Sequence, residues 1–179
     1  MKKIADGDRV IEADFVEAGL DAKEEYLAYE FWTESYLGKF AGAVSLDVPA
    51  HEPRVVALRP DLGRPQFLGT NRHILGGVRV VENLAWNADA KTLTGTQEAS
   101  VGTTHAPFAF HLAFFVPDGY AFDDVAFQTE SDIDVTNEST SETPVDGGSV
   151  LDVYFELEDT DGPDMGGLFG EMTWTLSFE

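Results

Sequence analysis

Pro107-Phe-Ala-Phe-His-Leu-Ala-Phe-Phe-Val116 is the most apolar stretch of the chain. Its alternation sets Phe108, Phe110, Leu112, Phe114 and Val116 on one face, the two-residue period of a strand. A strand this apolar belongs at the centre of a sheet. His111 falls on the opposite face, where it is expected to be structural or exposed.

Working outward, the same period recurs. Val150–Leu157 turns Leu151, Val153, Phe155 and Leu157 inward, and Gly170–Phe178 does the same with Met172, Trp174, Leu176 and Phe178. Lys39–Val48 alternates with Phe40, Gly42, Val44, Leu46 and Val48 inward. Further strands are expected at Arg9–Phe15, Tyr26–Trp32, Val78–Trp86, Thr92–Glu98 and Val125–Val135. Residues 16–25 form an acidic connection with room for one helical turn. Thr136–Gly148, rich in Ser, Thr, Glu and Gly, reads as a mobile polar loop, and Glu158–Gly167 as an acidic loop. The expectation is one all-β domain over residues 1–179, an antiparallel β-sandwich of about ten short strands with almost no helix. Residues 1–7 read as a frayed or vector-derived start.

Composition narrows the partners. The chain has 33 acidic and 11 basic residues, a formal charge of −22, and no basic residue but histidine after Lys91. Nucleic acid and anionic membrane need clustered Lys and Arg, so neither is expected. With 43% hydrophobic and 12% aromatic residues, the chain can bury a core and is no acidic tail. It has no cysteine, which removes disulfides and thiolate metal sites. Met-Lys-Lys is followed by no apolar segment, so a cytoplasmic chain is expected. Excess acid with little lysine suits a salt-rich cytosol. Self-repulsion destabilises the compact state, and the Debye length shrinks from about 10 Å at 0.1 M to about 3 Å at 1 M salt. The melting temperature is therefore expected to rise steeply between 0.1 and 2 M KCl. A flat or falling curve in a thermal melt would rule out salt adaptation.

Arg54-Val-Val-Ala-Leu-Arg-Pro-Asp-Leu-Gly-Arg-Pro-Gln-Phe-Leu-Gly-Thr-Asn-Arg-His-Ile74 gathers four of the six arginines, and Arg79 follows just after it. It reads as a strand, a Pro/Gly crossing and a second short strand that breaks at Gly69. Arg59, Arg64, Arg72 and His73 are candidate structural or interface anchors. The arginines are expected either to pair internally with acidic neighbours or to face a partner domain. His73 is expected to hydrogen-bond backbone at the strand break. Trp32 and Trp86 end strands and are candidate rim residues for stacking on sugar rings, with core packing as the competing reading. Trp174 faces the core. No histidine and carboxylate spacing matches a zinc motif. Asp159-Thr-Asp-Gly-Pro-Asp164 lacks the twelfth-position Glu of a calcium loop. Ser100-Val-Gly-Thr-Thr-His105 has no nucleophile elbow. No cofactor is expected.

Three segments carry a family likeness: Asp14–Asp21 with Glu25-Tyr-Leu-Ala-Tyr-Glu-Phe-Trp32, Val48-Pro-Ala-His-Glu-Pro-Arg-Val-Val-Ala-Leu-Arg-Pro60, and Arg64–Ile74. The closing strand Gly170–Phe178 also fits. Their order resembles the C-terminal β-sandwich that follows the catalytic barrel in α-galactosidase (melibiase)-like retaining glycoside hydrolases. The likeness is best over residues 8–86. It implies a non-catalytic accessory domain that packs against a barrel absent from this chain. Retaining chemistry needs two carboxyls about 5–5.5 Å apart, and no such pair is legible here. The family's first apolar strand has no counterpart in Met1–Gly7, which suggests an excised domain or an open sheet edge that a second copy could cover. A free-standing carbohydrate-binding or oligomerising β-domain is the alternative.

Overall fold

The computed structural model describes residues 7, 9–72, 81–101, 109–129, 133–159 and 168–179. Thirteen strands run through them: β1 (Arg9–Asp14), β2 (Glu25–Glu30), β3 (Ser35–Ala41), β4 (Ala43–Val48), β5 (Val56–Pro60), β6 (Gln66–Thr70), β7 (Val81–Asn87), β8 (Thr92–Val101), β9 (Ala109–Pro117), β10 (Phe122–Thr129), β11 (Ile133–Val145), β12 (Gly148–Asp159) and β13 (Leu168–Phe178). All pairings are antiparallel. No helix occurs among the described residues, and the connection over residues 16–24 is built of turns without a helical one.

The all-β sandwich is as expected, with added layers. One sheet has the order β10-β13-β8-β7 and faces a second of order β11-β12-β9-β6. Between them lies the main core, where Phe110, Leu112, Phe114 and Val116 of β9 meet Trp174, Met172, Leu176 and Phe178 of β13. The other face of the second sheet is also covered. Ala113 and Phe115 of β9, with Leu68 and Val150, pack on Leu27 and Tyr29 of a third sheet, β3-β2-β5. Phe15, Tyr26 and Val44 then join that third sheet to an outer β1-β4 pair. Strand β9 is thus buried on both faces along nearly its whole length.

Three expectations need correction. Lys39–Val48 is two strands, because the chain turns at Gly42, whose φ of 76° suits glycine; β3 and β4 then join different sheets. Val125–Val135 is likewise divided between β10 and β11. Thr136–Val145 is a strand, paired with β12 from Thr136 to Val145. As the edge of its sheet it needs only one partner, and its polar side chains and Pro144 suit an unpaired edge.

Candidate functional site

The second face of the middle sheet carries the main titratable cluster. β9 turns His111 away from the main core, and β12 places Asp152 beside it across the ladder. The covering sheet supplies Glu34 from the β2–β3 turn. Glu30, only 2% exposed, builds that turn. One of its carboxylate oxygens accepts the Thr33 backbone N–H at 2.6 Å and the Thr33 hydroxyl at 2.7 Å. Burial alone would raise the Glu30 pKa, but these hydrogen bonds and one from Val55 hold it below the ordinary value. Glu34 follows with φ 50°, a left-handed conformation that aims it back at the sheet.

His111 is 1% exposed. Its Nδ1 lies 2.5 Å from Glu34 Oε2 and its Nε2 lies 2.8 Å from Asp152 Oδ1. Its ring stacks on Tyr154, with centroids 4.4 Å apart and planes 9° from parallel. Burial disfavours the charged ring, yet hydrogen bonds and charge from Asp152 and Glu34 outweigh it and raise the pKa. In the imidazolium both ring N–H groups donate to carboxylates. Neither nitrogen then keeps a lone pair for proton abstraction or metal ligation. The arrangement clamps two layers together. Among the described residues, no group of three or more His, Asp and Glu side chains is arranged to hold a metal ion. Tyr29 sits close by, its hydroxyl buried without a hydrogen-bond partner. Burial and the nearby Glu34 and Asp152 charges push its pKa up.

Arg54 follows the pairing expectation, 3.9 Å from both Glu30 and Glu52. Three other arginines lie over aromatic rings. Arg59 donates from Nε to the Leu68 carbonyl at 2.7 Å and lies over Phe67, 4.9 Å from the ring centroid. Arg72 covers Phe110 at 3.9 Å. Arg64 stands over Trp86 at 5.7 Å. Each guanidinium caps an aromatic ring, a use of arginine that charge counting does not show. His73 lies outside the described residues, as do His105 and residues 160–164.

Trp86 is half-buried, with Tyr120 edge-on at 5.7 Å and Phe178 at 5.9 Å. It borders a cleft of about 260 Å³ between the edge strands β6 and β7 and the β5–β6 crossing. Gln66 holds that crossing in shape: its Oε1 accepts the Leu62 N–H and its Nε2 donates to the Pro60 carbonyl, both at 2.9 Å. Trp32 stands apart, 52% exposed at the tip of the β2–β3 turn and edge-on to Phe31 at 5.0 Å. Trp174 is fully buried, as its inward register predicts.

A third surface is the outer β1–β4 pair. All six residues of β1 are exposed, including Val10 at 70% and Ile11 at 48%. Ile11 pairs with Leu46, so it shares the inward face of the pair yet overhangs the layer beneath. A second cleft of about 430 Å³ lies there, walled by Arg9, Ile11, Val48 and the Pro49–Pro53 turn.

Comparison with protein-family models, curated proteins and solved structures finds no match for this chain.

Proposed function

We propose that the chain is a non-catalytic β-sandwich accessory domain of a glycoside hydrolase-like protein, and that it packs against a catalytic barrel through the β1–β4 pair. The observation that carries this reading is the exposed apolar surface of β1. Val10 and Ile11 are both exposed, on opposite faces of the strand, so a partner that grips the edge of the β1–β4 pair meets an aliphatic side chain on each side. The resemblance to the α-galactosidase sandwich supports the same reading, because β1 and β4 lie within residues 8–86, where the likeness is best. The clamp at His111 supports a structural rather than catalytic use of the one buried histidine described.

The test replaces both residues, Val10→Asp with Ile11→Asp. In the isolated chain the change in stability is expected within about 0.5 kcal/mol, as for other surface positions. In the parent glycoside hydrolase the same pair is expected to lower the melting temperature of the barrel. The isolated chain is expected to show no turnover of nitrophenyl galactosides. An unaltered barrel, or turnover by the isolated chain, would overturn the proposal. If sedimentation shows self-association abolished by the same pair, a second copy is the occupant instead. Exposed Trp32 favours a second reading, a carbohydrate-binding module. Calorimetric titration with galactosides decides it, since binding lost in Trp32→Ala would put the sugar there.

A further inference from the structure

We propose that the cleft between β6 and β7 binds a small, single-ring carboxylate, with Arg64 taking the carboxylate and the apolar walls taking the ring. This site shares no lining residue with the β1–β4 surface and stands independently of the docking reading.

Charge sets this cleft apart. The chain holds 33 acidic residues, yet none of the ion pairs among the described residues involves Arg64. Its contacts are the Trp86 ring and a long bond from Nη1 to the Pro65 carbonyl at 3.3 Å. With one N–H given to the Pro65 carbonyl, the guanidinium keeps four of its five donors. Their fork matches the two oxygens of a carboxylate. In a chain of net charge −22, a cleft that holds Arg64 and has no acidic residue in its lining favours an anion over a neutral ligand.

The shape of the cleft suits a small ring. Phe67 and Leu93 belong to the main core, so the cleft reaches the apolar interior of the sandwich. Leu84, 44% exposed, and Trp86 form the opposite wall on β7. A volume of about 260 Å³ lies just under the roughly 300 Å³ at which small-molecule pockets begin, which suits one ring rather than a chain of them. Because Gln66 fixes the β5–β6 crossing, Arg64 is positioned before any ligand arrives, and little ordering cost remains.

An acidic monosaccharide and an aromatic acid share this chemistry. The experiment follows the tryptophan indole N–H signals by NMR, with Trp86 assigned through Trp86→Phe. Galacturonate and benzoate are titrated, with galactose and benzyl alcohol as neutral controls. The Trp86 signal is expected to shift saturably with a carboxylate and not with its neutral counterpart. A response to galacturonate alone identifies an acidic sugar, and a response to benzoate alone an aromatic acid. Arg64→Met is expected to weaken binding about tenfold or more, the worth of a charge-assisted hydrogen-bond pair. Arg64→Lys, which keeps the charge without the fork, falls between. Leu84→Asp places a negative charge at the mouth and also weakens binding while leaving Arg64 intact. No Trp86 shift with either acid, an equal shift with the neutral controls, or unchanged affinity in both Arg64→Met and Leu84→Asp would overturn the proposal.

Discussion

Replacing His111 with leucine is expected to destabilise the domain by roughly 3 kcal/mol, the low end of the range for breaking a buried ion pair. The low end applies because the Glu34 side chain is 38% exposed and can take water once the ring is gone. Asp152, at 18%, is less able to do so and supplies most of the penalty. For a chain of this size the melting temperature would fall by about 6–12 °C. The pH dependence separates this account from simple loss of packing. The folded pKa of His111 lies above its unfolded value of about 6.5. Its contribution is then complete below about pH 6.5 and disappears as pH rises through the folded pKa. The gap between wild type and His111→Leu should narrow across that alkaline window in denaturant titrations. A gap that stays constant with pH would mean that the ring acts by volume alone.

The second large effect is expected at Gly95. Its register partner is Trp174, and a Cβ built there would stand 2.4 Å from Cζ2 and 2.8 Å from Cη2 of that ring. Trp174 cannot retreat: it is fully buried, with Phe114 edge-on at 5.1 Å and Phe67 at 6.4 Å. Gly95→Ala is therefore expected to cost about 3 kcal/mol, the upper part of the range for overpacking. This outweighs the gain of up to about 1 kcal/mol that alanine usually brings to a strand interior. Trp174→Phe should relieve the clash. The indole Nε1 has no hydrogen-bond partner, so phenylalanine gives up volume and no polar contact. In a double-mutant cycle read from denaturant midpoints, Gly95→Ala should cost less in the Trp174→Phe background than in the wild type. Additive costs would show that some other contact constrains position 95.

Where side chains alternate between core and solvent, the sequence showed the structure well. Leu151, Val153, Phe155 and Leu157 are buried as their period demands, and so are Met172, Trp174, Leu176 and Phe178. β11 was hidden because an edge strand with two open faces has no apolar period to display. The division at Gly42 was hidden for the opposite reason. Phe40, Val44 and Leu46 all pack in one cluster, so the period runs across a boundary between two sheets.

The clamp was the least legible feature. Glu34 and Asp152 lie 77 and 41 residues from His111, and no spacing rule connects them. One signal was available. Phe114 and Phe115 are adjacent, so β9 must bury both faces, and a histidine sharing the Phe115 face must be buried and paired. The ring contacts of the arginines were hidden for a related reason. Charge counting points to carboxylates, and no spacing rule places Arg59, Arg64 and Arg72 over Phe67, Trp86 and Phe110.

Strand β9 gives alternate residues to two separate apolar clusters. Pulling it from either one removes it from the other, so those clusters have a common breaking point. The three inner sheets then melt as one cooperative unit. The outer β1–β4 pair has no stake in β9. It is held through Phe15, Val44 and their neighbours, and it can peel away and return while the rest of the molecule stays folded.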